Sequence, residues 1–189
     1  MKDIFKKLIA LLVIGLITSE LHASENYPQI EIVTTSGTIV IELDRNRAPK
    51  SVENFLNYVE SGVYVDTIFH RVIPGFVIQT GGYNVDLSEI DTLPEIINES
   101  GNGLKNQRMS VGMARTNDPH SASSQFYINL NDNFSLDPMP TRWGYAVFGD
   151  VIGGFSVVDD IASNATQSTK GFQDVPLAPI IILEVNRID

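Results

Sequence analysis

Two side chains with hydrogen-bonding reach sit in an otherwise apolar run, FHRVIPGFVIQTGG, between Phe69 and Gly82. Arg71 interrupts a stretch rich in β-branched residues. Ile73-Pro74-Gly75 turns the chain, and Phe76-Val77-Ile78 then delivers Gln79. Alternate side chains of an extended strand share a face. Phe69, Arg71 and Ile73 therefore point one way and His70 and Val72 the other. Beyond the turn, Val77 and Gln79 oppose Phe76 and Ile78. A guanidinium and a carboxamide are thus carried on two strands joined by a tight turn, with an aromatic ring close by. Such a set suits a neutral, amide-like ligand and supplies no nucleophile.

The rest of the chain removes the other chemistries. It has no cysteine, which excludes disulfides, thiolate catalysis and cysteine-based metal sites. Three scattered histidines without ligand spacing argue against a metal, and no cofactor is expected. His70 reads as a structural residue on the face opposite Arg71, and His120 as solvated. Asp118, Asp137 and Asp150 show no spacing suited to acid–base work. The formal net charge is −10, with no cluster of Lys and Arg to follow a phosphate backbone, so nucleic acid is not an expected partner.

A length of 189 residues fits one domain plus a short extra. The extra is residues 1–23. Lys2, Lys6 and Lys7 precede the apolar run Leu8–Ile17, and a small residue, Ala23, stands at the expected cut before Ser24. The apolar run is well short of the ~20 residues that span a bilayer. The segment reads as a signal peptide, with the functional domain over 24–189 and no stable membrane span.

Positioning the Arg71–Gln79 pair falls to the elements around it. Gln29–Thr34 and Thr38–Leu43 alternate on either side of Thr35-Ser36-Gly37 and predict a hairpin. Pro49 opens a helix whose Val52, Phe55, Leu56 and Val59 share one face, and Gly62 ends it. Tyr83–Gly103 reads as a long loop. Arg108–Met113, Gln125–Leu130, Tyr145–Val151 and Ile180–Ile188 read as strands. Phe155, Val158 and Ile161 suggest a short second helix, and Ala165–Pro176 a loop. About eight short strands with two helices predict a mainly β domain: a closed antiparallel barrel, which removes sheet edges, with helices over its ends.

FHRVIPGFVIQTGG, followed in order by MARTNDPHSASSQFYINL, FSLD and GYAVFGDV, resembles the cyclophilin family of peptidyl-prolyl isomerases. The match runs from about Ile30 to the C-terminus and looks most like the bacterial periplasmic branch. It implies an eight-stranded antiparallel barrel capped by two helices. It further implies Arg71 as the catalytic arginine and Gln79 as its positioning glutamine. A proline pocket would be built from Phe76, Val77, Tyr127 and Leu136, with Met113 lining it or packing just behind. Ala114 and Arg115 match the strand end that pairs with bound peptide, and Tyr145 matches the aromatic rim. The implied partners are proline-containing polypeptides, met by a monomer in the periplasm or outside the cell. A chaperone or docking module that uses the same groove is the alternative. Ser135 stands where many members carry the tryptophan that contacts cyclosporin, so weakened cyclosporin binding is expected. Trp143 belongs to the loop Asp137–Trp143, longer than in compact members.

Overall fold

The computed structural model describes residues 25–188. The expected leader and its cut before Ser24 lie outside them. Strands β1 (Gln29–Thr34) and β2 (Gly37–Leu43) form the hairpin, with Ile30, Ile32, Ile39 and Ile41 fully buried on one face. Helix α1 (Pro49–Glu60) follows and buries Val52, Phe55, Leu56 and Val59 as its periodicity requires. Its first turn has no side-chain cap of its own. Glu99, far along the chain, accepts the Lys50 and Ser51 backbone N–H groups at 3.0 and 2.8 Å, so the long loop over residues 83–103 is fastened to the helix N-terminus.

Next come β3 (Arg71–Ile73), β4 (Val77–Thr80), β5 (Ser110–Met113), β6 (Phe126–Asn129) and β7 (Val147–Gly153). Helix α2 (Phe155–Ala162), a hairpin of β8 (Thr166–Thr169) and β9 (Phe172–Pro176), and β10 (Ile182–Arg187) complete the chain. The eight-stranded sheet is antiparallel and runs β10-β1-β2-β7-β5-β6-β4-β3. Inside its curve Phe55 meets Tyr64, Phe126 and Phe148 at ring separations of 5.1 to 5.4 Å. Aromatic pairs at such distances add to the burial that holds a core together.

Two expectations change. The sheet is open, not a closed barrel. Its edges, β3 and β10, meet only through the lead-in segments, where Ile68 bridges Ile181 and three backbone hydrogen bonds link residues 66–69 to 180–182. Asp66 is left-handed (φ 68°) on one side of this contact, and Pro179, which has no N–H, precedes it on the other, so the ladder cannot lengthen. The edge is covered instead: β9 lies alongside β3. Second, the β8–β9 hairpin occupies the stretch expected as loop. Lys170 and Gly171 both take positive φ (47° and 87°) and supply a turn that matches strand twist. The short second helix forms as expected, with Phe155 48% exposed at its start and Val158 and Ile161 carrying its burial.

Candidate active site

Register builds the site. Arg71 on β3 faces Gln79 on β4, Gln79 faces Tyr127 on β6, and Tyr127 faces Gly112 on β5. In antiparallel strands directly opposed residues share a face, so these four make one row across the sheet. Val72 and Ile78, one residue out of phase, go to the core. The row ends at a glycine for a steric reason. A Cβ on Gly112 would lie 2.4 Å from both Cζ and Oη of Tyr127, so the Tyr127 ring lies down over bare backbone.

A cavity of about 190 Å³ opens above this row, lined by Arg71, Phe76, Val77, Gln79, Ala114, Arg115, Tyr127, Leu136 and Tyr145. Met113 is not among them. It is 1% exposed and belongs to the hydrophobic core behind the pocket. The 3-10 turn Phe134–Leu136 brings Leu136 to the wall. Tyr145 arrives from the segment before β7 rather than from a strand. A larger hollow of about 310 Å³ adjoins and shares Gln79, Ala114 and Arg115. Its remaining lining is mostly Ser, Thr, Glu and Gln, and it lacks Arg71 and the aromatic rings, so the chemistry described here belongs to the smaller cavity.

Arg71 is placed through a relay of carboxamides. Its Nη1 donates to Gln79 Oε1 at 3.3 Å, and Gln79 Nε2 donates to Gln125 Oε1 at 2.8 Å. Gln125 in turn packs over Gly82, where a Cβ would meet its side chain at 2.6 Å. Behind Arg71, His70 is 4% exposed and stacks edge-on against Tyr83 at 4.7 Å, with Nδ1 unpartnered. Burial foremost, with the Arg71 charge beside it, lowers the His70 pKa from 6.5 to about 4, against bonds to the Ile68 backbone and Gln125. The imidazole is neutral near pH 7 and plays no part in charging the site.

Arg115 is used differently. Its guanidinium donates to three backbone oxygens, of Gly144 (3.2 Å), Thr116 (2.8 Å) and Trp143 (3.0 Å), and lies 4.3 Å from the centre of the Tyr145 ring. Trp143 is 49% exposed, stacks on His120 at 5.2 Å and does not line the proline-sized cavity, so it does not stand in for an indole at Ser135.

The Tyr127 hydroxyl finds its partner in Asn106, whose Oδ1 accepts at 2.6 Å. Burial foremost, then Tyr145 and Asp137, pushes the Tyr127 phenol well above its ordinary range. Asp137 accepts the Asn106 backbone and side-chain N–H groups at 2.9 and 3.0 Å and pairs with Lys105 at 3.3 Å. Burial pushes the Asp137 carboxyl up, but the Asn106 bonds and Lys105 outweigh it and hold its pKa below the usual carboxylate value. Gln125 and Asn106 were not singled out from sequence. Gln125 stands two residues before Tyr127 and so shares its face, a signal that was available. Asn106 sits in an irregular segment with no periodicity to read.

The arrangement offers a cationic donor, held by a carboxamide, at a ring-lined cavity. Among the described residues no group of three or more His, Cys, Asp or Glu side chains could hold a metal. Comparison with known proteins agrees with this geometry. The structure is similar to that of a cyclophilin type peptidyl-prolyl cis-trans isomerase from Cryptosporidium parvum, with a TM-score of 0.72 at 26% identity over 86% of this chain and 98% of the other. It is also similar, with a TM-score of 0.71 at 27% identity over 85% of this chain and 99% of the other, to the same protein in the presence of the dipeptide Ala-Pro. In sequence the chain is 53% identical over 156 residues to peptidyl-prolyl cis-trans isomerase cyp18 of Streptomyces antibioticus, covering 81% of this chain and 94% of the relative. It is 45% identical over 164 residues to peptidyl-prolyl cis-trans isomerase A of Dickeya dadantii, covering 87% and 86%. Residues 29–187 match the family described as cyclophilin type peptidyl-prolyl cis-trans isomerase/CLD, and with Arg71, Gln79 and the ring-lined cavity falling inside that span, the chain belongs to the cyclophilin-type peptidyl-prolyl cis-trans isomerases.

Proposed function

We propose that the chain accelerates cis–trans isomerisation of X–Pro bonds in exported polypeptides, with Arg71 as the group that lowers the barrier. An amide resists rotation by ~18–20 kcal/mol because its nitrogen lone pair is delocalised into the carbonyl. As the bond twists, the prolyl nitrogen becomes pyramidal and recovers that lone pair. A donor fixed beside it binds the twisted form better than either planar form, which is what lowers a barrier. Arg71 is that donor. Gln79 fixes the guanidinium, and Gln125 fixes Gln79. The proline ring sits against Phe76, Val77, Tyr127 and Leu136, with Tyr145 on the rim and the Ala114–Arg115 strand end beside the peptide. No proton is transferred and no covalent intermediate forms.

The single observation that carries this reading is the placement of a guanidinium, held through the Gln79–Gln125 relay, at the wall of a ring-lined cavity. The pattern of residues 1–23 and the resemblance to the periplasmic branch support export, and a small acidic single domain supports a monomer. Ser135, exposed on the Leu136 turn, supports weak cyclosporin binding. The test is NMR exchange on an X–Pro peptide with the wild type and Arg71→Ala. Accelerated exchange that is lost in the variant supports the reading. Peptide resonances that shift without accelerated exchange would leave a proline-binding chaperone or docking module in its place.

A further inference from the structure

We infer that Asn106 is a positioning residue for the proline cavity: one buried carboxamide fixes its floor, its wall and its rim relative to one another. Asn106 is 0% exposed and every hydrogen-bonding group of its side chain is engaged. Its Oδ1 accepts from the Tyr127 hydroxyl at 2.6 Å and from Asn129 Nδ2 at 3.2 Å. Its Nδ2 donates to Asp137 Oδ1 at 3.0 Å and to the Tyr145 carbonyl at 3.3 Å. Tyr127 is the cavity floor, Asp137 follows Leu136 of the wall, and Tyr145 is the rim.

The fourth side is tied in through the backbone. The Asn106 carbonyl accepts the Asn133 N–H at 2.7 Å, and Asn133 Nδ2 donates to the Phe76 carbonyl at 2.8 Å. Four segments that carry the cavity's rings and its leucine therefore converge on one residue. Donors on one side and acceptors on the other leave the carboxamide a single orientation. A fully satisfied buried network of this kind specifies a unique arrangement, whereas a broken one leaves desolvated groups unpaired and lets the walls move apart. The network lies behind the rings, so Asn106 acts on a bound proline only through Tyr127, Leu136, Tyr145 and Phe76.

The inference rests on the proposed proline pocket but not on the role of Arg71, and the experiment separates the two. Peptide affinity from chemical-shift titration, and exchange rate at saturation, are measured on one Ala-Pro peptide. The proteins are the wild type, Arg71→Ala, Asn106→Ala, Tyr127→Phe, the Asn106→Ala/Tyr127→Phe double variant and Ile161→Val. Loss of binding energy common to ground and transition states raises Kd and spares the saturated rate. Asn106→Ala is expected to raise Kd about tenfold with the saturated rate within about threefold of wild type, and Tyr127→Phe to raise Kd about threefold. The double variant is expected to bind no worse than Asn106→Ala, because both substitutions break one linkage. Ile161→Val, on the buried face of α2, lowers the melting temperature and leaves both readouts unchanged, which separates pocket geometry from general stability.

Unchanged Kd in both single variants, or losses that multiply in the double variant, would overturn the inference. Where Asn106→Ala does not fold, Tyr127→Phe decides alone: unchanged affinity overturns the inference and a weakened one supports it. A wild type that binds without catalysis defeats the isomerase reading and leaves the Kd comparison intact, while a wild type that does not bind defeats both.

Discussion

Arg71 and Arg115 line the same cavity from opposite conditions. Arg71 gives one N–H to the Gln79 carboxamide at 3.3 Å. Arg115 has Nε, Nη1 and Nη2 all occupied by backbone carbonyls and its flat face laid on Tyr145. The same guanidinium chemistry thus makes a donor held ready for a ligand in one place and a strut for a loop in the other. The difference comes from the elements beneath. Arg71 rises from a short strand whose neighbours offer it a single carboxamide. Arg115 leaves the end of β5 and runs directly into the carbonyls of residues 143 and 144.

The comparison breaks most directly by exchanging losses. Arg71→Ala is expected to lower the saturated exchange rate about 10²–10³-fold, the usual consequence of removing a preorganised transition-state donor, with peptide affinity much less changed. A variant with weakened binding but unimpaired turnover would remove Arg71 from the transition state. Acid sharpens the contrast next, because Arg71 has a buried imidazole beside it and Arg115 does not. His70 titrates at about 4 when folded, below its ordinary 6.5, so the unfolded chain takes the proton first as pH falls. Stability from this group is whole above pH 6.5 and is lost toward pH 4, by as much as about 3 kcal/mol. Urea titrations at pH 7 and pH 4 are expected to show this loss in the wild type and a smaller one in His70→Gln. Equal losses in the two proteins would mean that His70 is not held neutral.

Gln125→Ala leaves Gln79 without its acceptor and is expected to cost about tenfold in the saturated exchange rate, in line with the loss of one hydrogen bond that orients a donor. An unchanged rate would show that Gln79 needs no anchor. The smallest effect belongs to Arg115→Gln. An exposed cation–π contact and half-exposed carbonyl bonds are worth about 0.5–1 kcal/mol, which predicts a change of only a few-fold in peptide affinity and none in the saturated rate. A loss as large as that of Arg71→Ala would abolish the distinction between strut and donor.

The Arg71–Gln79 pairing is legible because it is local. Two strands and one turn lie within a few residues, and the alternation that puts Val77 and Gln79 together also sets Ile73 opposite Val77 and Arg71 opposite Gln79. The amphipathic face of α1 is legible for the same reason. The openness of the sheet is not, because it turns on how residues 66–69 meet 180–182, more than a hundred positions away. The β8–β9 hairpin is hidden by composition: Thr166–Thr169 is polar throughout, and only Lys170-Gly171 marks the turn. Asn106 is hidden most deeply. Its partners lie 21 to 39 residues away, on elements that no periodicity connects to it.

The bare backbone at Gly112 has a consequence for how this pocket can change by mutation. The volume that a side chain there would fill is already taken by the end of the Tyr127 ring, including its hydroxyl oxygen. The two positions form a mutational lock with an ordered key. In a library randomised at both, Gly112→Ala is expected to survive only where Tyr127 has first been replaced by a side chain that stops short of the site, because phenylalanine keeps the Cζ that also blocks it. A search by single steps from this chain therefore has one open path through that corner of sequence space, and it begins at Tyr127.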